Sequence, residues 1–202
     1  MQFEPGEMAA EDVYKLMAAL VVPRPIGWTS TLSPEGIHNL APFSFFMMIT
    51  SSPPHIAISV GAREGLTKDT LRNIRHTGDF VVNTVSAEVG QQMALTAADQ
   101  PAEVSEFDLA GLTPVPSEVV KPMRVAEAPA NLECVSRHIM PVGGMPYGAQ
   151  LVVAEVVYIH VRDDLLLERN RIDLQKLDAV GRLTGDWYCS TTDQYELKRT
   201  LT

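Results

Sequence analysis

The fold is decided by the stretch IGWTSTLSPEGIHNL, which occupies residues 26–40. Residues 26–32 are rich in the β-branched and aromatic side chains that favour a strand. Residues 33–36, SPEG, place proline where a turn needs φ near −65° and glycine where positive φ is tolerated. Residues 37–40 would then return antiparallel to the first strand. The stretch therefore predicts a β-hairpin.

Short strands and turns continue beyond this hairpin. Five further strands are predicted, at residues 43–49, 55–60, 80–85, 131–139 and 150–161. The connections between neighbouring strands are mostly short, which is typical of antiparallel pairing. We therefore expect a mainly β fold with peripheral helices, a barrel rather than a doubly wound sheet.

Helical spacing of apolar residues predicts a few helices around the sheet. Residues 10–20 form the first, and the following Pro23-Arg24-Pro25 forces the chain to leave it extended. A second helix is expected between Thr67 as its N-cap and Gly78 as its left-handed C-terminal residue. A third is predicted over residues 87–98. The region 101–122 is expected to be rich in loops, with a helical turn near Phe107.

Composition limits the classes of function. The chain has 202 residues, 46% of them hydrophobic, and is expected to fold as one domain over residues 1–202. Its net charge of −9 argues against binding to nucleic acid or to an anionic membrane surface. No signal-like segment or membrane-spanning apolar run is apparent, so a soluble cytoplasmic protein is expected.

The cysteines and histidines do not suggest a metal site. Cys134 and Cys189 lie far apart and are expected to be reduced core residues. The five histidines show no ligand spacing with Cys, Asp or Glu, so no metal is expected.

Two segments carry residues suited to a ligand. Lys68 and the hydroxyls of Thr67 and Thr70 lie at a predicted helix N-terminus, where free N–H groups and a partial positive charge suit a phosphate. Asp69 in the same turn would repel a phosphate if its side chain pointed inward. The hairpin places hydroxyls and an amide among apolar residues, as the edges of a flat heteroaromatic ligand require. Each segment alone also has a purely structural interpretation. The first is compatible with an ordinary capped surface helix, and the second with the solvent-exposed face of a strand.

The order of the motifs resembles a known family. PRPIGWTST, NLAPFSFF, KDTLRNI and GDFVVN follow one another between Pro23 and Asn83, and LDAVGRL occupies residues 177–183. This set is similar to the flavin reductase-like family of FMN-binding split barrels. The resemblance implies a six-stranded antiparallel split β-barrel, a homodimer, and FMN held without a covalent bond near the subunit interface.

The resemblance also implies which residues meet FMN. It places Thr29, Ser30 and Thr31 along the flavin and its ribityl chain, and Lys68, Asp69 and Thr70 at the phosphate. Arg182 is a further candidate from the end of the fold. The residues implied to border the isoalloxazine ring are Asn39, Leu40, Ala41, Pro42 and Ser44.

The electron donor is left open at this point. Many NAD(P)H-dependent members of the family carry Gly-Asp-His before the long late strand, whereas this chain has PYGAQ at residues 146–150. The first interpretation is an FMN-dependent oxidoreductase using NAD(P)H. The alternatives are a flavoredoxin-like electron carrier reduced by a redox partner protein, a barrel that binds a ligand without redox chemistry, and a deazaflavin in place of FMN.

Overall fold

The computed structural model describes residues 1–61, 67–144 and 148–198. Among these residues the α-helices are α1 (Ala10–Leu20), α2 (Asp69–Thr77), α3 (Gly90–Leu95), α4 (Glu106–Ala110) and α5 (Leu174–Leu177). Short 3-10 helices lie at Pro5–Glu7, Ala87–Val89, Asp163–Leu165 and Glu168–Asn170. The strands of the main sheet are β1 (Gly27–Leu32), β2 (His38–Phe43), β3 (Phe46–Ser51), β4 (Pro54–Gly61), β5 (Asp79–Asn83), β8 (Ala130–Val142) and β9 (Ala149–Val161). The remaining strands form three small two-stranded ladders: β6 (Pro114–Val115) with β7 (Arg124–Val125), β10 (Leu166–Leu167) with β11 (Arg171–Ile172), and β12 (Val180–Arg182) with β13 (Tyr188–Ser190).

The predicted hairpin is present as β1 and β2. Their antiparallel register pairs Gly27 with Phe43 and Leu32 with His38. The turn closes through a hydrogen bond from Gly36 N to Ser33 O (3.0 Å), and Gly36 has a φ of 87°. Glycine is therefore required here because other residues rarely adopt positive φ.

The main sheet has the strand order β2-β1-β5-β8-β9-β4-β3, and all its ladders are antiparallel. Its edge strands, β2 and β3, are joined by Ser44 and Phe45 alone. Because two residues bridge only a short distance, the sheet must curl until its two edges approach each other at this point. No ladder joins β2 to β3 among the described residues. The mainly β fold with helices is confirmed, but the sheet has seven strands rather than six and is open between β2 and β3.

Apolar clusters cover β1 and β2 on both faces. One cluster, beneath α2, includes Phe43, Ile58, Leu71 and Phe80. The other, beneath α3 and α4, includes Trp28, Leu40, Met93 and Phe107. The Trp28 indole N–H also donates to Thr96 Oγ1 (2.9 Å), so this buried ring keeps a polar partner. The hairpin is thus held between two cores.

Several local predictions need correction. The N-cap of α2 is Lys68 without a side-chain capping bond, so the prediction that Thr67 caps this helix is wrong, whereas Gly78 does end it in the left-handed conformation. The helix predicted over 87–98 is divided, because Val89 has ψ of 7° and Gly90 is a poor helix former. Both cysteines are free, but only Cys134 lies in the core; Cys189 is half-buried, contrary to expectation.

The PYGAQ segment and His138 belong to the region of β8 and β9. Pro146 and Tyr147 of the PYGAQ segment lie outside the described residues, and His138 is exposed on β8. No helix in the described part of the chain is long and apolar enough to cross a membrane.

Candidate functional site

The β1–β2 hairpin divides its polar residues between two faces. Thr29 pairs with Ala41 and Thr31 with Asn39, so these four residues share the face covered by α2. Ser30 lies on the opposite face, where its hydroxyl donates to Met123 O (2.6 Å). The side chain of Leu40 packs in the core on that same opposite face. The site predicted from the sequence is therefore split by the alternation of the strand.

A hydrogen-bonded network joins the hairpin to the first turns of α2. Asn39 Oδ1 accepts from Thr70 Oγ1 (3.0 Å) and from Thr31 Oγ1 (3.3 Å). Asn73, one turn further along α2, donates from Nδ2 to Thr31 Oγ1 (3.1 Å). Asn73 is fully buried, and its Oδ1 has no hydrogen-bond partner within residues 1–61, 67–144 and 148–198. Three of the predicted residues, Thr31, Asn39 and Thr70, thus belong to one cluster.

The free edge of β2 is covered by the start of α4 instead of another strand. Ser105 Oγ donates to His38 O (2.7 Å), and Glu106 Oε2 accepts from Leu40 N (2.8 Å). Pro42 lies two residues further on and faces the same edge, where its missing N–H leaves no donor unsatisfied. These contacts protect an edge that would otherwise expose unpaired backbone groups.

The N-terminus of α2 combines positive and negative groups. Lys68 Nζ lies 5.7 Å from the centre of the Phe43 ring, on the α2 face of the hairpin. Asp69 forms an ion pair with Arg72 (2.9 Å), so its negative charge is balanced by a residue of the same helix. The N–H groups of Leu71 and Arg72 donate to Lys68 O, so those of Asp69 and Thr70 lie outside the helix's own hydrogen bonds.

Beyond the end of β2, the buried Arg24 links two other predicted residues. Its Nε donates to Ser44 Oγ (3.3 Å), and its backbone exchanges hydrogen bonds with that of Arg182. Its terminal nitrogens donate to the carbonyl oxygens of Ala18, Val21 and Leu183. The side chain of Arg182 lies over the Tyr188 ring at 4.5 Å. Among the described residues, no carboxylate forms an ion pair with Arg24.

An apolar groove of about 490 Å³ opens beside Arg24 and Ser44. Its walls come from α1, from β3 and from the neighbouring strands of the sheet, including Met17, Phe45 and Leu151. A cavity of this size and apolar character, with a few polar groups at its floor, is typical of small-molecule sites.

The site also contains one buried carboxylate, that of Glu106, among the residues discussed above. Glu106 is 6% exposed, and burial raises its pKa against the lowering effect of the hydrogen bonds from Leu40 and Asn39. Nearby Asp69 raises the pKa further.

The structure thus places the predicted residues in four groups. Thr29, Thr31, Asn39, Ala41, Lys68, Asp69 and Thr70 gather where α2 meets the hairpin, and Ser44 and Arg182 meet at Arg24. Pro42 lies on the edge, and Ser30 and Leu40 face the other core. Sequence reasoning missed Arg24, Asn73 and Glu106. Arg24 and Asn73 lie within the motifs PRPIGWTST and KDTLRNI and could have been found there, whereas Glu106 lies outside every motif and 67 residues from Asn39.

The described residues contain no group of three or more His, Cys, Asp or Glu side chains placed to hold a metal ion.

Comparison with known proteins is consistent over nearly the whole chain. Residues 17–174 match the family described as "Flavin reductase like domain". A protein of Aquifex aeolicus (strain VF5) is 42% identical over 199 residues, which cover 98% of this chain and 100% of that protein. Nitrilotriacetate monooxygenase component B from Bacillus cereus superposes with a TM-score of 0.94 at 36% identity, covering 98% of both chains. The 2-nitrobenzoate 2-nitroreductase NbaA of Pseudomonas fluorescens gives a TM-score of 0.90 at 30% identity, over 100% of this chain and 97% of that one.

Proposed function

Because the chain belongs to the flavin reductase-like family, we propose that it binds FMN without a covalent bond and passes electrons through it. The observation that carries this proposal is the row of polar and basic groups along β2. The row begins at Lys68 and Thr70 on α2 and reaches Ser44 and Arg24 beside the apolar groove. Four residue steps of β2, from Asn39 to Phe43, span about 14 Å, so the two ends suit an elongated ligand.

The α2 end has the chemistry expected for the phosphate of FMN. Lys68 supplies a positive charge, and the N–H groups of Asp69 and Thr70 are donors outside the helix ladder. The buried Asn73 Oδ1, to which no described residue donates, is complementary to a hydroxyl-bearing chain such as the ribityl group. These residues fit the group.

The other end fits a flat ring. Ala41 offers a small apolar side chain on the α2 face of β2, Pro42 lies at the strand edge, and Ser44 adds a hydroxyl at the edge of the groove. Arg24 brings positive charge to this end, where it favours negative charge on a reduced ring. Arg182 adjoins Arg24 through its backbone, and the contact of its side chain with the flavin remains part of the proposal. The split-barrel arrangement and the predicted contacts of Thr29 and Thr31 belong to this proposal. The side chains of Ser30 and Leu40 face the other core, so a contact of these two residues with the flavin would have to come from the backbone.

The bound FMN would supply hydride and single-electron chemistry. The chain's own residues then have three tasks: binding the phosphate, orienting the ring, and tuning its charge through Arg24 and Ser44. No protein nucleophile or general base is required for this role. The similarity to a monooxygenase component and to a nitroreductase supports an oxidoreductase.

We propose NAD(P)H as the electron donor and a homodimer as the working form. Support for the dimer comes from an exposed apolar surface formed by α1, by β3 and by Phe45 just before β3, next to the groove. Its members include Tyr14, Met17, Leu20, Phe45, Met47 and Met48, which are 51–75% exposed. Apolar surfaces of this kind commonly mark protein interfaces.

Anaerobic absorbance spectra test the function. Protein loaded with FMN is mixed with NADH or NADPH, and the flavin band is followed. Prompt bleaching is expected for a pyridine-nucleotide-dependent oxidoreductase. A flavin that stays oxidised until dithionite is added would instead support the electron carrier reduced by a protein partner. A protein that binds FMN but is not reduced by any of these donors would contradict a redox role.

A further inference from the structure

Glu106 stands out because it is a buried carboxylate that none of the motifs in the sequence involves. Its Oε1 and Oε2 accept from Asn39 Nδ2 at 3.0 and 2.9 Å, and Oε2 also accepts from Leu40 N at 2.8 Å. All of these partners are donors. The geometry therefore suits the ionised carboxylate, which has only acceptor atoms.

These bonds determine the orientation of the Asn39 amide. An amide has one donor end and one acceptor end, so Nδ2 directed at Glu106 leaves Oδ1 for the other side. There Oδ1 accepts from Thr70 Oγ1 at 3.0 Å. Thr70 is the second residue of α2 and is 2% exposed. A continuous chain of hydrogen bonds thus runs from Glu106 through Asn39 to the first turn of α2.

The direction of the last bond defines what Thr70 does. Asn39 Oδ1 is an acceptor only, so the hydroxyl hydrogen of Thr70 is committed to it and cannot also be given to a phosphate. Thr70 Oγ1 therefore acts as a tether for the helix, not as a phosphate donor. The donors that the helix's own hydrogen bonds leave for an anion are the backbone N–H groups of Asp69 and Thr70, and Lys68 adds its positive charge beside them.

We propose that Glu106 is a positioning residue for the phosphate of FMN, holding the first turn of α2 in place through Asn39 and Thr70. The inference rests on the proposed function, since it needs FMN to be the ligand. It makes Glu106 a determinant of selection between FMN, which carries a phosphate, and riboflavin, which does not.

The sign of the effect separates this role from simple electrostatics. Glu106 and Asp69 are close enough for their charges to interact. If Glu106 acted only through its negative charge, its removal would favour a phosphate. If it positions the helix turn, its removal must weaken the phosphate contact instead.

The test compares FMN and riboflavin binding to Glu106→Gln by quenching of flavin fluorescence. Glutamine keeps one acceptor oxygen but turns an NH₂ group towards donors that need an acceptor. We expect FMN to bind about tenfold more weakly, with riboflavin changed by no more than about twofold. Glu103→Gln, an exposed substitution in the same loop, should leave both constants unchanged. Thermal unfolding of each variant shows whether the fold is intact.

A second pair of variants covers the case in which Glu106→Gln does not fold. Thr70→Val removes the tether and should reproduce the selective loss of FMN binding. Thr70→Ser keeps the hydroxyl and should bind FMN as tightly as the unaltered protein. Equal losses for both flavins, or tighter FMN binding in Glu106→Gln, would overturn the positioning role. If the unaltered protein binds neither flavin, the proposed function itself fails; if it prefers FMN and the variants keep that preference, only this inference fails.

Discussion

Lys68 is the cation at the N-terminus of α2, and its Nζ lies over the Phe43 ring on the face of the hairpin that carries Asn39 and Thr70. A lysine in this position adds a full positive charge to the partial charge of the helix end. Its neighbour Asp69 is already paired with Arg72. Lys68 is therefore the side chain best placed to distinguish a phosphate from an uncharged end group.

Lys68→Ala should weaken FMN binding about tenfold and leave riboflavin nearly unaffected, because only FMN has a phosphate charge to lose. Dissociation constants from fluorescence titration measure both. Lys121→Ala serves as the control because it removes the same charge from the molecule at a distance from the N-terminus of α2. The backbone N–H of Lys121 donates to Asp79, which follows the other end of this helix. Equal losses of FMN and riboflavin would remove Lys68 from the phosphate site.

Among the structural elements, β8 carries a second buried carboxylate, Glu133, which binds the loop around residues 118–120 to the sheet. Glu133 on β8 accepts from the N–H groups of Glu118, Val119 and Val120 at 2.7, 2.7 and 3.0 Å, and His160 Nε2 lies 2.6 Å away. Burial works to raise the pKa of Glu133, but the hydrogen bonds together hold it below its ordinary value. The carboxylate thus satisfies three backbone donors of a loop that lacks regular structure.

Glu133→Gln should lower the free energy of unfolding by about 1–3 kcal/mol at neutral pH, since one acceptor oxygen becomes a donor facing N–H groups. Because the folded pKa is depressed, the carboxylate stabilises the fold above its ordinary pKa of about 4.3 and loses this contribution as pH falls through the folded value. Urea denaturation at several pH values measures the difference, which should shrink in acid. Glu118→Gln, exposed in the same loop, is the control. A difference independent of pH would contradict this account.

The elements that the sequence predicts well are those with local signals. The hairpin follows from β-branched residues around SPEG, and α2 ends at Gly78 because glycine alone tolerates φ of 80° without strain. The lysine and threonine at the start of α2 could also be identified from the sequence.

The partners of these residues could not be predicted, because they are distant along the chain. Arg24 reaches Leu183 across 159 residues, and Glu106 reaches Asn39 across 67. Alternation along β1 does predict that Ser30 faces away from Thr29 and Thr31. The sequence gives no sign, however, that both faces of β1 are buried, so that Ser30 meets a second core rather than solvent. Such contacts follow from the curling of the whole sheet rather than from any local pattern.

For the whole molecule, the curled sheet leaves an apolar surface on α1 and β3 that none of the residues described by the structure covers. Met48 is 75% exposed and Met47 57% exposed, although both lie on a strand of the main sheet. The groove beside Arg24 opens onto this same surface. A second copy of the chain would bury the surface and close the groove from the outside.

We therefore expect a mass in solution near twice 22.1 kDa, and Met48→Asp should shift the protein towards the monomer because a charge would be buried in the interface. Sedimentation velocity measures both. Leu166→Asp, an exposed apolar residue on β10, provides the control. A monomer that binds FMN at full strength would contradict the placement of the flavin near a subunit interface.

The most direct test of the central claim is a titration of the purified protein with FMN, followed by flavin fluorescence and by equilibrium dialysis. The account predicts saturable binding of one FMN for each chain, tighter than the binding of riboflavin. Failure to bind FMN at a defined stoichiometry would contradict the assignment of the row from Lys68 to Arg24 as a flavin site.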